Sequence, residues 1–321
     1  MCAICGCSEG AETRFTDSGG NAHAHPHNDG DTHAHGHRHD HHHGEGHTHS
    51  HEDPHEHLHG EEHAHLHEHR ASVAMLHEPQ HGNLLRIEQD VLARNNRMAE
   101  RNRGWLEGRG VLALNLLSSP GAGKTSLLEK TVRALHSEIE MRVVEGDQET
   151  TLDAERIRAA GCQSVQVNTG TGCHLDASML AQALRSLDPP RGSLLMIENV
   201  GNLVCPALFD LGEAAKIVIL SVTEGQDKPL KYPHMFRAAQ LMLLNKTDLL
   251  AHVDFDVQAC LDHARRVNPE IELLQLSVRN GAGLEDWYAW LRARVAAAGL
   301  RAGVDRELHT SSSSVPPRRS V

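Results

Sequence analysis

Three cysteines stand within the first seven residues of the chain, at Cys2, Cys5 and Cys7. Three thiolates at this spacing, with an amino group nearby, supply the donors for a four-coordinate sulfur and nitrogen metal site. Square-planar coordination by such donors suits Ni²⁺, whereas tetrahedral coordination suits Zn²⁺. Both geometries stay open, because retention or removal of Met1 decides which amine is available. We predict a metal site at this amino-terminal tip.

A histidine-rich stretch follows the three cysteines. Of the 28 histidines in the chain, 22 lie between His23 and His81, many in an alternating H-x-H pattern. An unperturbed imidazole has a pKa of about 6.5, so most of these side chains are neutral and able to bind metal at pH 7. We predict that the stretch binds several ions with modest affinity and serves metal storage or buffering. A solvated low-complexity spacer is the alternative interpretation.

A phosphate-binding motif lies further along, where residues 118–125 read SSPGAGKT. They match the P-loop pattern G-x-x-x-x-G-K-[ST], except that serine replaces the first glycine. Backbone N–H groups of such a loop form an anion site at the start of a helix. We expect Lys124 to reach the β- and γ-phosphates and the Thr125 hydroxyl to bind Mg²⁺. The predicted phosphate-site residues are Pro120, Gly121, Ala122, Gly123, Lys124, Thr125 and Ser126.

A second motif, NKTD, begins at Asn245 and predicts which base is bound. The Asp248 carboxylate can accept hydrogen bonds from guanine N1–H and its 2-amino group, donors that adenine lacks. We expect Asn245 to support the O6 and N7 edge of the base and the stem of Lys246 to cover the ring. Ser277 and Val278 lie where a third base-contacting loop is expected. The pattern therefore predicts a guanine nucleotide.

Acidic residues between these motifs are candidates for the magnesium and water chemistry. Asp147, in EGDQET, is expected beside the phosphates, and a helix N-cap is its alternative role. Glu198 and Gly201, in ENVG, resemble the acidic-x-x-Gly element that senses the γ-phosphate. Mg²⁺ keeps several waters, so we expect both carboxylates to act through water. No glutamine or arginine finger is evident, which predicts slow turnover; the predicted catalytic residues are Lys124, Thr125, Asp147 and Glu198.

A further group of soft ligands lies between the two nucleotide motifs. Cys173 and His174 are adjacent in GTGCHLDA, and Cys205 follows in ENVGNLVCP. An adjacent Cys–His pair does not fill a tetrahedral site alone, but a pair from each of two subunits would. Cys162 and Cys260 have no such neighbours, and we interpret them as small core residues.

Hydrophobic patterning predicts the elements that position these residues. Leu84, Val91, Met98 and Trp105 recur every seven residues, which predicts a helix that packs on the following domain. Apolar runs then alternate with helical stretches, which predicts a mainly parallel sheet flanked by helices and an α/β fold. The predicted strands are residues 111–117, 141–146, 164–168, 193–199, 214–222, 240–245 and 271–277.

Composition divides the 321-residue chain into three parts. Residues 1–80 hold too little apolar surface to offset chain entropy, and we predict a disordered metal-binding region. Residues 84–300 form the predicted nucleotide-binding domain with its amino-terminal helix, and residues 301–321 a flexible tail. Aromatic residues are only 3%, so the core is expected to be aliphatic.

Charge and cysteine content exclude several classes of protein. The net charge is −12 with histidine neutral, and residues 23–69 hold ten acidic side chains against Arg38 alone. This balance disfavours nucleic acid as a partner, because phosphate backbones require clustered Lys and Arg. No secretory signal and no apolar run near the roughly 20 residues of a membrane span are evident, which predicts a cytoplasmic protein without a membrane partner. An odd number of cysteines disfavours a disulfide scaffold.

Together these motifs resemble the hydrogenase nickel-incorporation GTPases, the HypB family. The resemblance covers nearly the whole chain and rests on CAICGC, the His-rich insert, ERNRGWL, SSPGAGKT, EGDQET, VNTGTGCHLDA, ENVGNLVCP, TEGQDKPLKYP and NKTD. It implies a P-loop NTPase fold of the SIMIBI class that forms a homodimer when GTP is bound. It also implies hydrolysis of GTP to GDP, coupled to delivery of nickel to the large-subunit precursor of [NiFe]-hydrogenase with a small zinc-containing chaperone. The implied ligands are GTP or GDP, Mg²⁺, Ni²⁺ and Zn²⁺.

The resemblance also implies roles for the cysteines. The three tip cysteines look like the family's high-affinity nickel site, and the Cys–His pair with Cys205 looks like its nickel or zinc site at the dimer interface. One position departs from the wider class, whose P-loop often carries a lysine that acts across the dimer. Ser118 and Ser119 stand there instead, which leaves Lys228 or Lys231 as candidates for that role.

The sequence therefore predicts a GTP-hydrolysing nickel metallochaperone that stores and delivers Ni²⁺. Three alternatives stay open. The first is a maturation GTPase for another enzyme, such as urease or a cobalamin enzyme, although CxxCGC and the Cys–His pair disfavour it. The second is a nickel or zinc storage protein with a regulatory G domain. The third, a P-loop small-molecule kinase, is disfavoured by NKTD.

Overall fold

The computed structural model describes residues 14–16, 22–24, 78–147, 152–170 and 172–299, with side chains from residue 89 onward. Residues 1–25 and 83–321 belong to one unit and residues 26–82 to another, of which only the start of a helix is described. The tip cysteines and the histidine-rich stretch lie outside the described side chains. Their predicted metal sites therefore stay predictions.

Nine strands of the described chain form one sheet in the order β2-β1-β5-β4-β6-β3-β7-β8-β9. The strands are β1 (Arg14–Thr16), β2 (Ala22–Ala24), β3 (Leu112–Ser118), β4 (Met141–Asp147), β5 (Gln163–Asn168), β6 (Leu194–Glu198), β7 (Ala215–Ser221), β8 (Leu241–Asn245) and β9 (Glu272–Gln275). The helices are α1 (Glu78–Arg109), α2 (Lys124–Leu135), α3 (Leu152–Ala159), α4 (Ala177–Leu187), α5 (Cys205–Leu208), α6 (Lys228–Lys231), α7 (Pro233–Ala238), α8 (Val257–Val267) and α9 (Leu284–Ala297), with a 3₁₀ helix at Thr247–His252.

The seven predicted strands are all present as β3–β9 and pair in parallel, which confirms the predicted α/β class. Their apolar runs are buried on both faces, as in β3, where six of seven residues are buried. The short strands β1 and β2 add an antiparallel edge next to β5 that the sequence pattern did not predict. Within the described residues, no helix is long and apolar enough to cross a membrane.

The order of the strands in the sheet determines where the candidate functional site lies. β3 begins the parallel set but lies between β6 and β7, so the chain first builds one side of the sheet and later the other. In open α/β sheets a crevice forms at such a reversal, outside the carboxyl ends of the strands. The predicted phosphate loop, both predicted acidic residues and the Cys–His pair all follow these ends. The topology therefore gathers the motifs along one edge of the sheet.

Helix α1 confirms the predicted helix, and Trp105 packs against the core as predicted, but the buried face is only partly the predicted one. Val91, one of the heptad positions, is 45% exposed, whereas Ala99 and Leu106 are buried. Asn95 and Asn102 complete this buried face at helical spacing. The sequence pattern was misread because it counted only apolar side chains, and two of the buried positions are amides.

The core is mainly aliphatic, as predicted. Helix α2 shows why the pattern LLEKTVRAL folds as it does, since its apolar positions recur on one face and are buried against the sheet. Trp287 and Phe236 are the largest fully buried side chains. Cys162 and Cys260 are buried core residues, as predicted, and burial raises the pKa of each thiol to about 12.

Candidate nucleotide site and metal cluster

The phosphate loop joins β3 to α2 through a glycine that no other residue replaces easily. Gly123 has φ 104°, a left-handed conformation that favours glycine. A Cβ atom at this position would lie 2.5 Å from Nδ2 of Asn245. Helix α2 begins at the next residue, so its amino-terminal N–H groups face the loop as an anion site requires.

Three predicted catalytic side chains meet at the end of this loop. Lys124 Nζ donates to Ser118 Oγ at 2.9 Å, and Thr125 Oγ1 donates to Glu198 Oε1 at 2.9 Å. Burial lowers the pKa of Lys124, while the negative charges of Glu198 and Glu145 oppose that shift. The serine that replaces the first glycine of the motif thus accepts a hydrogen bond from the lysine.

A cavity of about 290 Å³ lies over the loop and has an acidic wall. Asp147 lines it together with Lys124 and Glu198. The alternative role of Asp147 as a helix N-cap stays a prediction, because residues 148–151 lie outside the described chain. The hydroxyl of Thr125 and the carboxylates of Asp147 and Glu198 are hard oxygen donors, which fits Mg²⁺. The remaining lining residues are Pro120, Gly121, Glu145, Gly146, Asp153, Asn199, Val200 and Gly201.

Glu145 is a component of this site that the sequence analysis missed. Strands β4 and β6 pair in register at Glu145 and Glu198, and both side chains are buried. Burial, followed by the negative charge of Glu198, raises the pKa of Glu145 well above its usual range. Among the described residues, Glu145 Oε1 and Glu198 Oε2 have no hydrogen-bond donor, so a proton held by Glu145 satisfies both oxygens. A glutamate inside the apolar run MRVVEGD was the available signal.

A second cavity, of about 600 Å³, lies on the other side of the start of α2 and contains the predicted base site. Ser277 Oγ donates to Asp248 Oδ1 at 2.5 Å, which orients the carboxylate. Lys246 has φ 62°, and it lines the cavity with Asp248 and Val278. The structure thus brings the NKTD motif and the loop at Ser277 together. Residues not predicted for this wall are Glu129, Lys130, Arg133, Arg156, Leu249 and Arg279.

The structure gives Asn245 bonds that the sequence did not predict. Its Nδ2 donates to Ala122 O at 2.8 Å, and its Oδ1 accepts from the N–H groups of Lys246 and Val278 at 2.7 and 3.1 Å. The side chain is buried, and Asn245 lines the base cavity. Asn245 therefore ties the phosphate loop to both base loops, and its second Nδ2–H is left for the base edge, so the predicted contact with the base stays a prediction.

Cys173, His174 and Cys205 form a cluster, defined here as the inner metal cluster. One ligand atom from each lies within 4.8 Å of the others. Burial lowers the pKa of His174, against the negative charge of Asp176, so the imidazole is held in the neutral form that binds metals. Two thiols and an imidazole fit a borderline ion such as Ni²⁺ or Zn²⁺.

Cys205 joins the Cys–His pair within one chain, and completion of the site by a second subunit stays a prediction. A single chain brings three donors together, because the loop after β5 meets the start of α5. The ring of Phe209 lies against His174 with centroids 3.9 Å apart. Three protein donors leave one position of a tetrahedral site open.

One loop contacts both the nucleotide site and the inner metal cluster. It runs from Glu198 to Cys205, and a Cβ at Gly201 would lie 2.9 Å from Pro120 Cα in the phosphate loop. Toward the cluster, Asn199 Oδ1 accepts from Leu175 N at 3.0 Å, and Asn202 Nδ2 donates to Cys173 O at 3.4 Å. We call residues 199–204 the connecting loop.

The two lysines considered for a role across a dimer are held within their own chain. Lys228 Nζ lies 3.8 Å from Glu224 and 5.1 Å from the centroid of the Tyr232 ring. Lys231 Nζ lies 2.6 Å from Asp227. Each lysine would have to leave these partners to act elsewhere.

Comparisons with known proteins agree with this arrangement. Residues 112–275 match the nucleotide-binding domain of the CobW/HypB/UreG family. The hydrogenase maturation factor HypB of Azotobacter vinelandii is 58% identical over 234 residues, which cover 72% of this chain and 77% of that protein.

Two solved structures are similar over the same region. A crystal structure of the hydrogenase maturation factor HypB from Archaeoglobus fulgidus has a TM-score of 0.60 and 39% identity, over 63% of this chain and 99% of that one. A crystal structure of HypB from Helicobacter pylori in complex with nickel has a TM-score of 0.60 and 36% identity, over 65% and 98%. At this identity and coverage, the chain belongs to the HypB branch of the CobW/HypB/UreG family.

Proposed function

We propose that the chain is a GTP-hydrolysing nickel metallochaperone for the maturation of [NiFe]-hydrogenase. The observation that carries this proposal is the connecting loop, which contacts the phosphate loop at one end and the inner metal cluster at the other. A nucleotide that moves this loop changes the surroundings of the metal donors. Membership of the HypB family, and a relative that was crystallised in complex with nickel, support the choice of metal.

The nucleotide half of the mechanism follows from the residues that line the two cavities. Asp248 selects guanine through two accepted hydrogen bonds, because an adenine would leave its carboxylate facing an acceptor. Lys124 leaves Ser118 and turns to the phosphates, where its charge is stabilised by new anionic partners. Mg²⁺, held by Thr125 and by the carboxylates of Asp147 and Glu198 through water, would neutralise charge on the β- and γ-phosphates when bound.

The metal half depends on a difference in affinity between two nucleotide states. A ligand that binds both states equally shifts no equilibrium, so delivery requires that Ni²⁺ binds the inner metal cluster more tightly in one state than in the other. GTP would favour a dimer in which the fourth coordination position is filled, and hydrolysis to GDP would reset the cluster. The tip cysteines would hold nickel tightly, and the histidine-rich stretch would store it, with Zn²⁺ as a competing ion.

The proposed partners follow from this cycle. We infer a homodimer in the GTP state, a small zinc-containing nickel chaperone as donor or acceptor, and the large-subunit precursor of [NiFe]-hydrogenase as client. Nucleic acid and membrane lipid are not proposed partners, since the acidic balance of the chain disfavours the first. Family membership supports the hydrogenase client.

The test is hydrogenase activity in cells that carry the chain with Cys2, Cys5 and Cys7 changed to alanine, with and without added nickel. Loss at low nickel and partial rescue at high nickel are the expected results. Equal activity of the variant and the wild type at low nickel would remove the tip from the mechanism. In the same cells, Lys124→Ala is expected to abolish hydrogenase activity at both nickel concentrations.

Metal storage with a regulatory G domain is a second candidate, favoured by the 22 histidines between His23 and His81. Deletion of residues 23–69 separates the two functions. If maturation at limiting nickel needs only these residues and tolerates Lys124→Ala, storage is the function. If it needs Lys124 and tolerates the deletion when nickel is added, delivery is the function.

A further inference from the structure

Helix α1 buries two asparagines that neither the nucleotide site nor the inner metal cluster contains. Asn95 and Asn102 are 7% and 4% exposed, and Asn102 belongs to the ERNRGWL segment that the proposed function leaves unused. A buried amide costs free energy unless its polar atoms are hydrogen-bonded. The hydrogen-bond partners of these two side chains therefore indicate their structural role.

Both amides bond to the same residue of the loop that carries Cys173 and His174. Asn95 Oδ1 accepts from Ala177 N at 2.9 Å, and Asn102 Nδ2 donates to Ala177 O at 2.8 Å. Ala177 is the first residue of α4 and lies three positions beyond His174. Helix α1 thus holds both backbone polar groups of the residue that ends the Cys–His loop.

The same two amides also bond to the segment that follows Cys205. Asn95 Nδ2 donates to Asp210 O at 2.8 Å, and Asn102 Nδ2 donates to Leu211 O at 2.9 Å. This segment comes directly after Phe209, whose ring lies against His174. Each asparagine therefore bridges the two stretches of chain that supply the metal donors.

The packing next to this bridge is close. A Cβ at Gly212, which has φ 92°, would lie 2.6 Å from Ala99 O and 2.8 Å from Arg103 N. Arg103 Nη2 lies 2.5 Å from Asp210 Oδ2, and its Nη1 donates to Glu213 O at 3.0 Å. The segment at residues 210–213 thus packs directly against the backbone of α1. The helix therefore contacts the chain that follows the Cys–His loop and the chain that follows Cys205.

We propose that Asn95 and Asn102 are positioning residues that set the separation of the metal donors in the inner metal cluster. Cys173 and His174 lie on one loop and Cys205 on another, and the two asparagines cross-link the residues that follow these loops. Groups behind the ligands fix ligand orientation and tune affinity in metal sites. This inference rests on the proposed metal role of the cluster.

The test measures metal binding at the cluster itself in the full-length chain. Free Ni²⁺ is set with a competing chelator, so that the tip cysteines and the histidine-rich stretch do not deplete it. Alkylation of Cys173 by N-ethylmaleimide is then followed peptide by peptide with mass spectrometry. The measured quantity is the free Ni²⁺ concentration that halves the rate of Cys173 alkylation, and the series is repeated with Zn²⁺.

Two substitutions separate the two bridges. Asn102→Ala removes the bonds to Ala177 O and Leu211 O, whereas Asn95→Ala removes the bonds to Ala177 N and Asp210 O. We expect Asn102→Ala to raise the half-protecting Ni²⁺ concentration about tenfold, the scale seen when outer-shell partners of a metal site are removed. Asn95→Ala is expected to raise it in the same direction.

Two control variants distinguish positioning from loss of stability. Asn96→Ala changes the neighbouring asparagine, which is exposed. Thr131→Val removes the acceptor for Trp287 Nε1, a buried bond between α2 and α9. Both are expected to leave the half-protecting concentration within about twofold of wild type, although Thr131→Val lowers the thermal unfolding temperature.

Each outcome decides something different. If wild-type Cys173 is protected and both asparagine variants behave like wild type, the positioning role is wrong and the metal role stands. The positioning role is also wrong if Thr131→Val shifts protection as much as Asn102→Ala at an equal loss of unfolding temperature. If neither Ni²⁺ nor Zn²⁺ protects wild-type Cys173, the metal role of the cluster fails and the positioning role fails with it.

Discussion

The nucleotide site and the inner metal cluster lie along one edge of the same sheet, yet they are built differently. The nucleotide site comes mostly from consecutive residues of two motifs, and its side chains already bond to each other, as Lys124 does to Ser118. The metal donors come from two separate loops, which are held by bonds from α1 and from the connecting loop. The geometry of a local motif is set by residues that are adjacent in sequence, whereas the geometry of the cluster depends on residues that are far apart in sequence.

This difference indicates which of the two sites a conformational change can alter. We expect small movements of the connecting loop to change the spacing between Cys205 and the Cys–His pair, whereas β3 and α2 hold the P-loop from both sides. On this hypothesis the metal cluster is the site whose geometry changes with the nucleotide. The following experiments break or sharpen that distinction, beginning with the largest expected effect.

Breaking the nucleotide site alone should leave the metal cluster intact. Lys124→Ala removes two charge-assisted bonds to phosphate of about 2 kcal/mol each, which predicts a loss of roughly a thousandfold in GTP affinity. Without nucleotide, the free Ni²⁺ concentration that half-protects Cys173 from alkylation is expected to equal the wild-type value. Isothermal titration and the alkylation assay measure the two quantities. Arg265→Ala, which changes an exposed cation on α8 that lines neither cavity, is the control.

Breaking the cluster alone should leave the nucleotide site intact. Cys205→Ser replaces a soft ligand with a hard one of similar size, and we expect the half-protecting Ni²⁺ concentration for Cys173 to rise about a hundredfold, at the upper end of the effect of outer-shell changes. GDP affinity is expected to be unchanged. Cys260→Ser is the control, since that thiol is buried away from the cluster. A Cys205→Ser variant that binds Ni²⁺ normally would exclude Cys205 as a ligand.

A substitution in the connecting loop should leave nucleotide binding and metal binding intact but weaken the effect of the nucleotide on metal binding. Asn202 Nδ2 donates to Cys173 O, and its Oδ1 accepts from Val204 N at 2.8 Å. Asn202→Asp keeps the acceptor and loses the donor, whereas Asn202→Ala loses both. We expect the nucleotide-dependent difference in Ni²⁺ protection to fall roughly threefold in Asn202→Ala, within the range of known coupling changes. An undiminished difference in both variants would remove Asn202 from the connection.

A separate expected effect, on stability, concerns the thiols that we interpret as core residues. Burial raises the pKa of Cys260 from 9.0 to about 12. Between these values the folded chain keeps a proton that the unfolded chain loses, so the free energy of unfolding falls as pH rises. We expect a loss of about 1 kcal/mol per buried thiol between pH 8 and pH 10. Denaturant unfolding of Cys260→Ala should show a shallower pH slope than wild type; an equal slope would contradict the assignment.

The sequence was most informative where function depends on consecutive residues. SSPGAGKT and NKTD placed Lys124 and Asp248 correctly relative to strands and helices, because backbone geometry around such motifs is local. The apolar runs predicted all seven parallel strands for the same reason. The Cys–His pair was also visible, and its grouping with Cys205, which the resemblance implied, agrees with the inner metal cluster.

What the sequence did not predict depends on contacts between distant residues. Glu145 is paired with Glu198 only through the register of β4 and β6, and strand register between crossovers is not readable from a single sequence. The bonding of Asn245 to Ala122 likewise joins residues far apart in the chain. Asn95 and Asn102 were missed because a helical pattern of apolar residues assigns polar positions to the solvent.

One measurement tests the central claim directly. The free Ni²⁺ concentration that half-protects Cys173 is determined in the full-length chain with GDP and again with a non-hydrolysable GTP analogue, each at saturation with Mg²⁺ present. The account predicts that the two concentrations differ, since delivery of nickel requires unequal affinities in the two states. Identical concentrations would show that the nucleotide does not control the inner metal cluster.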